Sequence, residues 1–119
     1  MTEQFLDMLF KIAAENPEAT PAFLKQLLAS DIYCLGLEQT QGRIQFRMLE
    51  TEQGEQAIAF FLSEKMIIDD LGDEPFIQLA ARKLFSMTQG ATLVLNPTSE
   101  FSKEFSAQEV SFLLNTEMV

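Results

Sequence analysis

Apolar residues recur along the chain with two different periods, and these periods predict alternating helical and extended segments. Close to the N-terminus, apolar residues at i, i+3, i+4, i+7 and i+8 predict an amphipathic helix. Its predicted apolar face comprises Phe5, Met8, Leu9, Ile12 and Ala13. Asn16-Pro17 is expected to end this helix, and Thr20-Pro21 to begin a second one with Thr20 as its cap. The apolar side of the second helix comprises Phe23, Leu24, Leu27 and Leu28.

The middle of the chain carries patterns that are typical of strands. Residues 32–37 form a short apolar run, residues 43–49 alternate between apolar and polar, and residues 57–62 are apolar throughout. The connections between these runs are short and contain Gly42 and Gly54. We therefore predict three consecutive antiparallel strands.

Helical and ambiguous patterns follow the third predicted strand. Ser63 is predicted to cap a short helix that ends at Leu71, with Gly72 in the turn after it. Residues 75–79 fit either a short strand or the beginning of a helix, and residues 82–87 fit a helix.

The most specific pattern lies in the last third of the chain. Three adjacent aliphatic residues at 93–95 predict a strand buried on both faces. Asn96-Pro97 is expected to end the strand, with Asn96 extended because the residue before a proline avoids helical geometry. Thr98 and Ser99 can hydrogen-bond the local backbone and hold a turn. These four residues either form a fixed turn or line a small-ligand pocket at the end of the strand.

A C-terminal helix is predicted to begin at Ser106. Ser106 and Glu109 have the spacing of a capping box, in which the first residue is the N-cap and the second lies in the first turn. Phe105 and Val110 have the spacing of the apolar pair that staples such a helix start. Two independent signals therefore indicate the same helix boundary.

The run LVLNPTSEFSKEFSAQEVSFLL of residues 93–114 resembles the end of the N-terminal domain of the SseB family, the enhanced-serine-sensitivity proteins. The run PAFLKQLL of residues 21–28 is similar to an early helix of that family. The run AFFLS of residues 59–63 is similar to its strand before a Ser-capped helix, although Leu62 replaces the usual Thr. The resemblance favours a strand for residues 75–79 and implies a link to sulfurtransferase regulation. Longer members carry a second domain, for which 119 residues leave no room.

Together the patterns predict a single α+β domain over residues 1–119. We expect two N-terminal helices, a mixed sheet of about five strands and a C-terminal helix packed on the sheet.

The charge of the chain narrows the classes of partner. The net charge is −10, and eight Lys and Arg residues are spread thinly, so nucleic acid and anionic membranes are not expected to bind. Residues 50–74 contain one base, Lys65, and eight acids. The acids are Glu50, Glu52, Glu55, Glu64, Asp69, Asp70, Asp73 and Glu74.

The acidic segment predicts a docking surface for a basic protein. The family resemblance implies that this partner is a sulfurtransferase. Its centre would be Asp69, Asp70, Asp73 and Glu74, with Glu52 and Glu55 on the flank. A merely solvated surface is the alternative. Asp69 and Asp70 fall in the last turn of the predicted helix, where the helix dipole disfavours carboxylates. Such conflicts between sequence and local structure are typical of functional positions.

The residue inventory argues against an enzyme. The chain has no histidine, which excludes Ser-His-Asp and Cys-His catalysis and HExxH metal sites. Its glycines do not fit a nucleotide-binding loop, and one cysteine cannot build a structural zinc site. We therefore predict no catalytic residue, no metal and no cofactor. The alternative is a thiol-dependent enzyme or sulfur carrier that uses Cys34, which lies in the middle of a predicted strand.

Compartment and assembly follow from the same inventory. The chain has no apolar run of the roughly 20 residues that a membrane span needs, and Glu3 and Asp7 do not suit a signal peptide. We expect a soluble, cytoplasmic protein. Arg43 and Arg47 place charge on a predicted edge strand, which discourages pairing between copies, so we expect a monomer or a weak homodimer.

Overall fold

The computed structural model describes residues 2–38, 43–51, 53–98 and 102–115, with side chains described from Leu6 onward. The helices are α1 (Thr2–Glu15), α2 (Thr20–Leu28), α3 (Glu64–Leu71), α4 (Ala81–Met87) and α5 (Ala107–Asn115), with a 3-10 turn at Pro17–Ala19. The strands are β1 (Asp31–Glu38), β2 (Ile44–Phe46), β3 (Met48–Glu50), β4 (Gln56–Phe61), β5 (Phe76–Ala80), β6 (Thr92–Leu95) and β7 (Lys103–Phe105).

The α+β class, the two N-terminal helices and the C-terminal helix are confirmed, but the predicted number of about five strands is wrong. The described residues contain seven strands in one mixed sheet. One extra strand arises because residues 43–49 do not form a single strand: Arg47 separates β2 from β3. The other is β7, in a polar stretch that shows no strand pattern in the sequence. The ambiguous segment at 75–79 contributes strand β5, as the family resemblance indicates.

Strands β1 and β4 form the centre of the sheet. β1 pairs antiparallel with β2, β4 and β5. β4 pairs antiparallel with β3 and parallel with β6, and β6 pairs antiparallel with β7. The parallel pair places the C-terminal ends of β4 and β6 at the same edge of the sheet.

Side chains of β1 alternate between two apolar clusters, one on each face of the sheet. Ile32 and Cys34 belong to the main core, which also includes buried residues of α1, α2, α4 and α5. Tyr33 and Leu35 belong to a smaller cluster on the opposite face, where Ile67 of α3 packs. One face is thus covered by four helices, while α3 covers only part of the other.

The predicted apolar face of α1 is confirmed at Leu9 and Ala13, which pack against the main core, and wrong at Met8 and Ile12. Leu6 and Phe10 are buried, whereas Met8 and Ile12 are 50% and 42% exposed. Apolar residues occupy more than one side of this helix, so periodicity alone does not decide which side packs. The contact with α2 decides it: the rings of Phe10 and Phe23 stack with centroids 5.0 Å apart.

Two of the three predicted helix caps are confirmed. Ser63 Oγ accepts the N–H of Met66 at 3.2 Å, and Ser106 Oγ accepts the N–H of Glu109 at 3.1 Å. The prediction for Thr20 is wrong, because α2 has no side-chain cap and Thr20 is its first residue. Asn16 instead caps the 3-10 turn and accepts the N–H of Glu18 at 3.2 Å.

Candidate functional site

Asn96 ends β6 in a conformation that differs from the predicted one. Its φ is 51°, in the left-handed region that asparagine tolerates better than most residues, rather than extended. The Asn96 N–H donates to the Phe60 carbonyl at 2.8 Å, and its side-chain Oδ1 accepts the N–H of Leu62 at 3.2 Å. The side chain therefore replaces the strand backbone as the partner of β4 where the main chain of β6 turns away.

This side-chain bond fixes the beginning of α3 relative to the turn after β6. Leu62, which donates to Asn96, is followed at once by Ser63, the N-cap of α3. Asn96 is buried, with 1% of its surface exposed, so its role is structural. The residues that face a cavity are Pro97 and Thr98. Ser99 lies outside the described residues.

Three of the four central acidic residues have side-chain partners. Asp69 pairs with Lys65 one turn earlier in α3 and raises the pKa of Lys65 by accepting its hydrogen bond. Asp70 Oδ2 accepts the hydroxyl of Thr98 at 2.7 Å. Glu74, in the loop after α3, pairs with Arg47. These partners offset the unfavourable helix dipole at the C-terminal end of α3.

The remaining acidic residues predicted for this surface are placed more loosely. Asp73 is exposed and makes no ion pair or side-chain hydrogen bond with the described part of the chain. Glu55 lies exposed in the hairpin between β3 and β4, where its N–H donates to Thr51 Oγ1 at 3.1 Å. Glu52 lies outside the described residues. We use the term acidic surface below for Asp69, Asp70, Asp73 and Glu74.

The structure joins two features that the sequence presents as separate. The hydrogen bond between Asp70 and Thr98 links the acidic surface to the turn after β6, across 28 positions of sequence. The reason is the parallel pairing of β4 with β6, since α3 follows the end of one strand and the turn follows the end of the other. The carboxyl ends of parallel strands at one sheet edge are a common place for binding sites.

A cavity of about 360 Å³ lies beside this junction, on the face of the sheet that α3 covers only in part. Its apolar lining is Leu35, Leu49, Phe61 and Leu71. Its rim is formed by the Arg47–Glu74 ion pair, Pro97 and the polar Thr98. We call this the larger cavity, to distinguish it from a smaller neighbouring one that shares Arg47 and Glu74 with it.

A second cavity, of about 270 Å³, adjoins the first. Leu37, which is 56% exposed, and Phe46 supply apolar surface to it. Arg47 and Glu74 line both cavities, so their ion pair is a shared wall. We call this the smaller cavity. Sequence reasoning missed the role of Arg47, which it treated as a charge that protects a sheet edge.

Gly36 permits the close approach of β1 and β2 that shapes the smaller cavity. Its φ of 149° and the position of the Gln45 carbonyl oxygen leave no space for a side chain there. Arg47 comes directly after β2, and its N–H donates to the Leu35 carbonyl at 3.0 Å. This bond ties the backbone of Arg47 to β1 beside Leu35.

Cys34 belongs to the other face of the sheet. It is fully buried in the main core, and burial raises the pKa of its thiol to about 12. A thiol in this environment is neutral near pH 7 and has no access to a solute. Within the part of the chain that the structure describes, no group of three or more Cys, Asp or Glu side chains could hold a metal ion. Among the same residues, no helix is long and apolar enough to cross a membrane.

Comparisons with known proteins agree on one family. The profile of the SseB protein N-terminal domain matches residues 6–111. The proteins named Protein SseB from Escherichia coli (strain K12) and from Shigella flexneri are each 34% identical to this chain over 124 aligned positions. The alignments cover 98% of this chain and 48% of each relative, so the chain spans about half the length of these relatives. No solved structure gives a significant match.

Proposed function

The chain belongs to the SseB protein family, and from this premise we propose that it is a non-catalytic, regulatory module that binds a partner protein with a basic surface. The observation that carries the proposal is the acidic surface itself. Its carboxylates are concentrated at the C-terminal end of α3 and in the loop after it, and Asp69, Asp70 and Asp73 are exposed.

The arrangement of these carboxylates supports a docking role better than a role in solubility alone. Solubility requires charge, but it does not require four acids within six residues. Thr98 donates a hydrogen bond to Asp70, so this acid is held in place before a partner arrives. Fixed charges of one sign increase the rate of encounter with an oppositely charged protein and make that rate depend on salt.

A sulfurtransferase is the partner class that the family resemblance implies, and we include it in the proposal as the first protein to test. We further propose that the module acts in the cytoplasm, as a monomer or weak homodimer, and that neither nucleic acid nor membrane is its partner. The burial of Cys34 and the raised pKa of its thiol support binding over sulfur transfer by this chain.

The test is capture of a basic partner by wild type and by two variants that lose equal charge. The first variant changes the acidic surface: Asp69→Asn, Asp70→Asn, Asp73→Asn and Glu74→Gln. The matched control changes four exposed acids elsewhere: Glu15→Gln, Glu18→Gln, Asp31→Asn and Glu104→Gln. Asn and Gln still accept hydrogen bonds, so the contacts with Thr98 and Arg47 can persist in the first variant.

We expect the first variant to lose the partner and the control to retain it. Association rates measured with the captured protein, and with a purified sulfurtransferase from the same cell, should fall steeply as salt is raised. Equal capture by wild type and both variants, with a rate that ignores salt, would show that the acidic surface is only solvated.

A further inference from the structure

The two cavities and the acidic surface lie next to each other, and together they define the kind of segment that fits. The apolar lining of the larger cavity comes from the sheet, at Leu35, Leu49 and Phe61, and from Leu71 at the end of α3. The smaller cavity lies on the other side of the Arg47–Glu74 ion pair and extends the apolar surface of the larger one. We call the two cavities together the groove.

The volume of the groove suits side chains of a protein rather than a large cofactor. Each cavity is near or below the lower end of the range of roughly 300–1,000 Å³ that small-molecule sites occupy. At protein interfaces, large anchor side chains of one partner fill pockets of the other. Two adjacent cavities can therefore bind two anchor side chains from one segment of a partner protein.

The spacing of the anchors follows from β1. Leu35 lines the larger cavity and Leu37 lines the smaller one, two residues further along the same strand. Two residues of a strand span about 6.7 Å. A partner segment in extended conformation presents alternate side chains at the same interval, so residues i and i+2 of the segment can enter the two cavities.

The charge around the groove selects the residues beside the anchors. Arg47 is the one basic side chain among the described residues that line either cavity. Three acids lie around the groove: Glu74 in the shared wall, Asp70 bonded to Thr98 on the rim, and the exposed Asp73 in the loop between them. The net charge of the rim is negative, and a Lys or Arg of the partner complements it.

We propose that the groove binds an extended segment of the partner protein that carries large apolar residues at i and i+2 and a Lys or Arg beside them. This inference rests on the proposed function, because it specifies which part of a basic partner the module recognises. Apolar burial in the cavities supplies the affinity, and the acidic surface supplies the orientation.

The Arg47–Glu74 pair has a defined part in this recognition. Arg47 competes with the partner's cation for the Glu74 carboxylate, because both cations occupy the same side of the groove. Replacing Arg47 by Gln is therefore expected to tighten binding severalfold, and replacing Glu74 by Gln to weaken it. An ion pair with a purely structural role would leave the affinity unchanged in both variants.

The experiment is selection from a random heptapeptide library displayed on phage, with the purified chain as bait. We expect enriched peptides to carry apolar residues two positions apart next to Lys or Arg. Leu71→Gln, in the larger cavity, should lower the affinity of a selected peptide about tenfold. Ile68→Gln, on the same helix but outside both cavities, is the matched control and should leave it unchanged.

A second variant distinguishes loss of peptide binding from loss of folding. Leu37→Gln changes an exposed side chain of the smaller cavity, so it should weaken binding without lowering the melting temperature. Enrichment of basic peptides that lack the apolar spacing and ignore Leu71→Gln would overturn the groove inference and leave the proposed function standing. Enrichment of apolar peptides without basic residues would overturn the groove inference, and so would the absence of any enrichment. The proposed function is decided separately, by capture of the partner with the acidic-surface variant and its control.

Discussion

The side chain of Asn96 is expected to contribute more to stability than its polar character suggests. Asn96→Ala removes Oδ1, the acceptor of the Leu62 N–H, and leaves that buried donor without a partner at a cost of about 1–3 kcal/mol. Alanine must also adopt the left-handed φ of 51°, which costs about 1–2 kcal/mol more. The expected loss in the free energy of unfolding is thus about 2–5 kcal/mol.

Asn96→Gly separates the two contributions. Glycine adopts a positive φ freely, so this variant should lose only the hydrogen bond and be about 1 kcal/mol more stable than the alanine variant. Asn16→Ala is the matched control, because it removes an exposed side-chain cap and should cost about 0.5–1 kcal/mol.

Urea denaturation followed by circular dichroism measures these differences, and hydrogen exchange locates them. The amide of Leu62 should lose protection in both Asn96 variants, since both lack its acceptor. If the alanine and glycine variants lie within 0.5 kcal/mol of wild type, or if Leu62 keeps its protection, the assignment of Asn96 as a structural bridge between β6 and β4 is wrong.

Three further predictions concern the core, the thiol and the sheet. Truncation to alanine should cost about 2–5 kcal/mol in thermal or urea unfolding at each of three fully buried positions, Leu93, Leu95 and Phe105. Cys34 should react with a thiol reagent only after denaturation. The raised pKa keeps this thiol protonated in the folded state, whereas the thiol of the unfolded chain ionises. The free energy of unfolding should therefore fall as pH rises from about 9 to about 12. Cys34→Ser should make this fall less steep in urea titrations across that range. Gly36→Ala should destabilise the chain more than Gly54→Ala, because both residues have positive φ but only Gly36 faces a backbone atom of the next strand, which melting temperatures can compare.

Features set by neighbouring residues were predictable from the sequence, because their causes are local. Ser63 and Ser106 cap their helices through hydrogen bonds that span three residues, and a sequence pattern contains both partners. Features set by distant partners were not predictable in this way. The packed side of α1 depends on Phe23, and the break at Arg47 depends on a change of partner strand, since β2 pairs with β1 and β3 pairs with β4.

The candidate site also depends on residues that are distant from one another in the sequence. The acidic residues and the Asn-Pro turn are both visible in the sequence, but their connection requires β4 and β6 to be parallel neighbours. The intervening α3, β5 and α4 supply a crossover long enough for such a pair, which parallel strands need. Recognition of that crossover would have placed the beginning of α3 at the same sheet edge as Pro97 and Thr98. The groove could not be predicted from the sequence, because the ion pair in its shared wall joins Arg47 to Glu74, 27 positions later.

The same contacts show how stability and binding are connected at this edge of the sheet. Asp70 occupies a helix end that disfavours a carboxylate, and Thr98 compensates by donating a hydrogen bond to it. An alanine at position 70 would therefore relieve the helix dipole while it removes the tie between α3 and the turn. The two effects on stability oppose each other, whereas both the lost charge and the loosened rim weaken the binding of a basic segment. A stability near that of wild type combined with weaker binding is consequently the pattern that identifies Asp70 as a residue retained for recognition.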